Sequence, residues 1–190
     1  MLLLGIDPGI SGGMGLLGHD GRYLESWLIQ SCIRRYRTLK SGKLSPQREL
    51  DARWMFLTIK SALILNGVII GQVIAEEQVA FPDQHANTGL SMGDTRGVIR
   101  GVCAALGISV SYVKPSEWKK FYGLKGAKGR KYASKEESLA LARSFYPDAP
   151  LASHKDEAVA EALLIARWHQ TVGEKGVKAP WGDVAVAKRA

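Results

Sequence analysis

The stretch from Leu2 to Leu17, Leu-Leu-Leu-Gly-Ile-Asp-Pro-Gly-Ile-Ser-Gly-Gly-Met-Gly-Leu-Leu, constrains the chain more than any other. Leu2, Leu3, Leu4 and Ile6 show no polar alternation, the pattern of a strand buried on both faces. Asp7 closes that apolar run. Pro8-Gly9 ends or bends the strand, and Gly12, Gly13 and Gly15 let the backbone approach a neighbour before Met14, Leu16 and Leu17 resume an apolar strand. Asp and Gly are ordinary turn residues, so this stretch alone also fits a plain β-hairpin. Carboxylates at the ends of other buried elements would turn Asp7 into a metal ligand.

A chain of 190 residues with 46% hydrophobic content can bury a full core as one globular unit. Lys and Arg total 26 against 18 acidic residues, a formal charge of +8 that favours a polyanionic partner, nucleic acid first. Cys32 and Cys103 lie in different segments without CxxC or Cys/His ligand spacing, so neither a disulfide framework nor a zinc site is expected. No signal-peptide pattern and no bilayer-length apolar run is present in the sequence, so the expectation is a cytoplasmic protein without a membrane partner.

Beyond the first hairpin, His19 to Arg22 reads as a turn and Tyr23 to Ile29 as a third strand. Arg34 to Lys43 is basic and turn-rich, a surface loop or, because interleaved Arg and Tyr suit phosphates and base faces, a DNA-backbone contact. Helical spacing of apolar residues predicts a helix over Pro46 to Leu65, stopped by Gly67. Val68 to Ala75 reads as a buried strand ending in Glu76-Glu77, and a polar loop with Phe81 follows. A helix is expected from Thr88 to Leu106, where Gly89, Gly93, Gly97 and Gly101 recur every four residues and leave one face nearly bare for close packing.

Ile108 to Val113 is another strand, and Ser116 is placed to cap a short helix behind Pro115. Lys125, Lys128, Arg130 and Lys131 crowd a glycine-containing basic loop suited to DNA. Ser134 to Phe145 and His154 to Gln170 read as helices. The expected organisation is one domain over residues 1–170 and a basic tail over 171–190. The order of elements fits an α/β ribonuclease H-like fold, a five-stranded mixed sheet flanked by helices.

The acidic residues fall at the right places for a shared site. The carboxyl ends of strands in an open α/β sheet are where sites gather. Glu76 and Glu77 point to opposite faces, so at most one joins Asp7. Glu157 and Glu161 lie one turn apart on the last helix among small Ala neighbours, where a solvated acidic face is the plain alternative. Carboxylates drawn together repel unless a cation neutralises them, and hard oxygen donors favour Mg²⁺ or Mn²⁺. Two such ions suit phosphodiester hydrolysis.

Four stretches, in order, resemble the RuvC-type Holliday junction resolvases, and more closely their phage relatives. They are Gly5-Ile-Asp-Pro-Gly9, Ala75-Glu-Glu-Gln-Val79, Gly93 to Gly101 continuing to Val113, and His154 to Ala166. The likeness covers most of Met1 to Gln170 apart from the Arg34 to Pro46 segment. It implies that Asp7 is the first catalytic acid, that Glu77, being followed by Gln-Val, is the second, and that Glu161 is the last. The third acid is Glu157 or Asp156; helix geometry favours Glu157, about 40° from Glu161 against about 140° for Asp156. Lys119 and Lys135 sit where the family carries basic residues near the scissile phosphate; solvated surface lysines are the alternative.

The resemblance implies a crossover junction endodeoxyribonuclease with two Mg²⁺ or Mn²⁺ ions and no small-molecule cofactor. Branched double-stranded DNA is its implied substrate. Cutting a four-way junction symmetrically takes two active sites, hence a homodimer, for which the glycine-bearing helix is the candidate interface. Phe81 would wedge into bases at the branch point or else pack in the core. Two rivals are an actin-like or sugar-kinase-type ATPase, whose first hairpin is similar, and a junction-binding protein without catalysis.

Overall fold

The computed structural model describes residues 1–67, 69–79, 84–124 and 135–172. In chain order the elements are β1 (Leu2–Asp7), β2 (Gly13–Leu17), β3 (Tyr23–Leu28), β4 (Ser31–Thr38), β5 (Leu44–Leu50), α1 (Ala52–Asn66), β6 (Ile70–Glu76), α2 (Ala86–Ala105), β7 (Val110–Val113), α3 (Pro115–Phe121), α4 (Lys135–Phe145) and α5 (Glu157–Val172). Among the described residues, one five-stranded sheet has the order β3-β2-β1-β6-β7, and β4-β5 form a separate hairpin. The meander β1 to β3 is antiparallel, while β6 pairs parallel with β1 and β7 parallel with β6. The expected mixed sheet is therefore present, with β1 at its centre.

Each face of the sheet has its own apolar layer. Leu4, Ile6, Val73 and Ala75 pack with Met55 and Ile59 of α1 and with Ile99 and Cys103 of α2. Ile74 and Val113 pack on the other side with Leu163 and Ala166 of α5 and with Leu139 and Ala142 of α4. The glycines of the first hairpin set how close α5 comes. A Cβ on Gly5 would run into the backbone of Ala162, one on Gly13 into that of Ala158, and one on Gly15 would lie 2.6 Å from the Leu163 side chain. The close approach inferred from this glycine pattern is thus an approach of helix to strand, and it brings α5 against the strand that ends in Asp7.

The region from Arg34 to Leu50 departs from expectation. Residues read as a loop form the hairpin β4–β5, closed at Leu39 to Gly42, with Gly42 in the left-handed region at φ 78°. Pro46 is not the start of a helix; it pairs with Tyr36 in β5, and α1 begins at Ala52 behind the capping carboxylate of Asp51, which accepts from the Trp54 amide at 2.9 Å. This hairpin buries almost nothing, so its strands lack the alternating apolar signal by which strands are read.

Smaller corrections concern ends. The strands expected from Val68 and Ile108 begin at Ile70 and Val110, and the helix expected over Thr88 to Leu106 is α2. Helix α3 has Pro115 at its first turn and Lys114 at its N-cap without a side-chain bond, so Ser116 is not the cap. A single 3-10 turn, His154–Asp156, precedes α5. Among the described residues nothing packs on the Gly93, Gly97 and Gly101 positions of α2, where an added Cβ would meet no atom within 4 Å. Phe81, the basic loop bearing Lys125, Lys128, Arg130 and Lys131, and residues 173–190 lie outside the described residues. No helix among the described residues is long and apolar enough to cross a membrane.

Candidate active site

Asp7 ends β1, on the face of the sheet that α5 covers. In the parallel pair β1–β6, Ile6 lies opposite Ala75. The next step of that register sets Glu76 beside Asp7, where it acts electrostatically on the Asp7 carboxyl, while Glu77 follows the last residue of β6. Glu77 is instead tied through its backbone, its amide donating to the Val113 carbonyl at 2.7 Å. The acid brought to Asp7 is therefore Glu76, although the Gln-Val motif pointed to Glu77. Trp118, fully buried on α3, donates its indole N–H to Glu76 Oε2 at 2.8 Å.

Glu161 enters from the second turn of α5. Its Oε1 accepts from Ser138 Oγ of α4 at 3.0 Å, and Lys119 Nζ of α3 lies 3.0 Å from Oε1 and 3.2 Å from Oε2. The Lys119 ammonium also lies 4.8 Å from the centre of the Trp118 ring. Three helices thus meet at one carboxylate. This pair is well shielded, the side chains of Lys119 and Glu161 being 22% and 12% exposed.

The electrostatics couple these acids to one another. Burial lifts the pKa of Asp7 well above the usual carboxylate range; Glu161 and Glu76 lift it further, Lys119 opposes them, and Glu157 adds a smaller push. Burial raises Glu76 as well, against the lowering effect of Lys119 and of the Trp118 hydrogen bond. For Lys119 burial works against the charge, but Glu161, Glu76 and Asp7 outweigh it and hold the ammonium charged beyond its ordinary range. Among the described residues, one lysine therefore serves several acids, which leaves negative charge in excess there.

The two candidates for the remaining acid separate cleanly. Asp156 is engaged in a capping box, its Oδ2 accepting from the Ser153 amide at 2.7 Å and from Ser153 Oγ at 3.1 Å. Glu157 opens α5 and acts electrostatically on Asp7. Lys135 opens α4, with its side chain outside the described residues. Trp118 and Ser138, which hold the acids in place, were not anticipated; a Trp beside the Lys119 candidate was the available hint.

All donors in the cluster are hard oxygens, the chemistry that Mg²⁺ or Mn²⁺ prefers. As the side chains lie, no three His, Cys, Asp or Glu among the described residues close around one point. The reason is visible in the contacts: both Glu161 oxygens face Lys119, and Glu76 is held by Trp118. The residues fit a hard cation by type and by uncompensated charge, with Lys119 standing where positive charge is required.

In sequence the chain matches no protein-family model and no curated protein. In structure it is similar to T. thermophilus RuvC in complex with a Holliday junction substrate, at 22% identity and a TM-score of 0.62, over 94% of this chain and 98% of that one. The fold is RuvC-like. It is the ribonuclease H-like arrangement expected from the order of elements. A second solved structure, of Thermus thermophilus RuvC, matches at 21% identity and a TM-score of 0.49, over 91% of this chain and 97% of that one. Within this RuvC-like fold, the acids sit at the carboxyl ends of the central strands β1 and β6 and on the helix packed across them.

Proposed function

We propose that the chain is a divalent-metal-dependent endonuclease that resolves four-way and related branched DNA junctions. The observation that carries the reading is the electrostatic coupling of Asp7, Glu76 and Glu161, with Glu157 at the margin, beside the Lys119 ammonium. The RuvC-like fold and the net charge of +8 support it. Asp7, Glu76 and Glu161 would hold the metal, with Glu157 contributing from the helix start. When bound, Mg²⁺ or Mn²⁺ supplies activation of water for attack on a phosphodiester and stabilisation of the departing 3′ oxygen.

The protein's own residues supply the rest. Trp118 and Ser138 orient Glu76 and Glu161 through hydrogen bonds. Lys119 offsets part of the charge on the acids and would present its ammonium to the scissile phosphate. Lys135, Phe81 and the basic loop of Lys125, Lys128, Arg130 and Lys131 are assigned to DNA contacts. Two copies act on one junction, joined through the open Gly93, Gly97 and Gly101 face of α2.

The test incubates the purified protein with end-labelled four-way, three-way and linear DNAs, with and without Mg²⁺. The reading expects cleavage of the branched DNAs near the branch point and only with the metal. Metal-independent cutting, or equal cutting of linear duplex, would contradict it.

A further inference from the structure

The hairpin β4–β5 is the part of the chain outside the RuvC-type motifs, and it faces the first turn of α1 and the amino-terminal half of α2 across a cleft of about 820 Å³. Arg34, Arg35, Arg37, Arg48 and Arg53 line this cleft. Its three carboxylates are already engaged. Asp51 caps α1, and Glu49 and Asp94 both hold Arg34, at 3.5 Å and 2.7 Å. Arg34 is thereby a strut that ties the hairpin to α2. Arg35, Arg37 and Arg53 have no ion-pair partner among the described residues.

The hairpin register makes Arg35 and Arg37 act together. Arg35 lies opposite Gln47 and Arg37 opposite Ser45, so both guanidinium groups leave the same face of the hairpin. Gln47, Asn87 and Ser91 add neutral polar groups to the cleft wall. The amino-terminal turns of two long helices add partial positive charge there. Arginines, neutral hydrogen-bonding side chains and helix starts are the donors that contact phosphate oxygens.

The cleft also lies at the right end of the sheet. The hairpin's root is bonded to the turn beside Asp7, the Ile29 amide donating to Gly12 at 2.9 Å and the Asp51 amide to Gln30 at 3.0 Å. A smaller cleft of about 410 Å³ is lined by Gln30 on one side and by Lys155 and Glu157 on the other, so it joins the hairpin root to the acidic cluster.

We infer that the β4–β5 cleft grips the phosphate backbone of a duplex arm extending from the cleavage site, a second DNA contact apart from the acidic centre. The identity of that duplex as a junction arm rests on the nuclease reading; the contact itself is measured without cleavage. Anisotropy of a labelled four-way junction, titrated in EDTA over a series of salt concentrations, compares the wild type with the double variant Arg35→Ala/Arg37→Ala. The variant should lose on the order of tenfold in affinity at moderate salt, and its log K against log salt slope should fall by about 2, one counterion set per lost phosphate contact. Arg35→Lys/Arg37→Lys should restore that slope. Arg22→Ala, at the β2–β3 turn where Arg22 pairs with Asp20, should change nothing. A junction with arms too short to reach the cleft should bind wild type and double variant alike.

An unchanged affinity and slope in the double variant would overturn the inference, as would an equal loss in Arg22→Ala, which would reduce the effect to net charge. A wild type that shows the arm-length and salt behaviour but cuts nothing with Mg²⁺ would sink the nuclease reading and leave the cleft standing. A wild type that cuts junctions while the double variant binds them normally would do the reverse.

Discussion

Helix α5 buries Ala158 to Trp168 almost without a break, while in the hairpin β4–β5 only Leu50 is buried. The first region is held by backbone contacts so close that Gly5 and Gly13 on the facing strands leave no room for a Cβ. The second is held by strand pairing and by Arg34 bridging Glu49 and Asp94. The contrast separates two tasks. Carboxylates that must share a charge environment are mounted on a packed interface that cannot shift without loss of the core. Arginines proposed to meet a long, uniform polyanion are mounted on a ribbon whose side chains are largely exposed and adjust at little cost.

The strongest way to break this contrast is to add bulk where α5 touches β1. Gly5→Val drives a side chain into the Ala162 backbone, which cannot yield as a flexible side chain would. It should cost about 3 kcal/mol or more, read by thermal or urea unfolding. A second variant, Asp7→Asn, touches function and stability in opposite directions. Cleavage should fall by about a thousandfold, several kcal/mol of transition-state stabilisation.

The same variant should be more stable than the metal-free wild type at neutral pH. Burial and the neighbouring acids raise the Asp7 pKa in the folded chain, so the folded state holds that proton more tightly than the unfolded one. The stability this provides is complete below the unfolded carboxylate pKa, near pH 4, and is lost as pH rises through the raised folded value. The gap in Tm between Asp7→Asn and wild type should accordingly open above about pH 4, and added Mg²⁺ should narrow it by raising the wild type alone.

Trp118→Phe sharpens the comparison from the supporting side. It removes the N–H that holds Glu76 and should cost about 2 kcal/mol by urea unfolding, with cleavage reduced as well. The smallest effect belongs to the hairpin. Tyr36→Ser and Leu44→Ser alter side chains that are each 60% exposed, and each should move stability by no more than about 0.5 kcal/mol.

What was legible in the sequence follows the same division. The strand ending in Asp7, the glycine run and the last helix could be read because burial forces a pattern on them, and their order sufficed for the ribonuclease H-like fold. The hairpin could not, since Arg34 to Thr38 are exposed, Leu44 to Gln47 are exposed or only half-buried, and neither strand carries an apolar period. The choice between Glu76 and Glu77 was illegible for a different reason. Alternation says that one of them joins Asp7, but which one depends on the pairing of Ile6 with Ala75, a long-range register absent from local sequence. Asp156 and Glu157 were divided by a capping box whose Ser153 stands in the sequence three residues before Asp156, a signal that was there to be used.

The most direct test of the central claim compares Glu76→Gln with Glu77→Gln in Mg²⁺-dependent cleavage of a labelled four-way junction. The account predicts that Glu76→Gln abolishes cutting while Glu77→Gln cuts close to the wild-type rate, both variants binding the junction normally. Cutting retained by Glu76→Gln and lost in Glu77→Gln would contradict it.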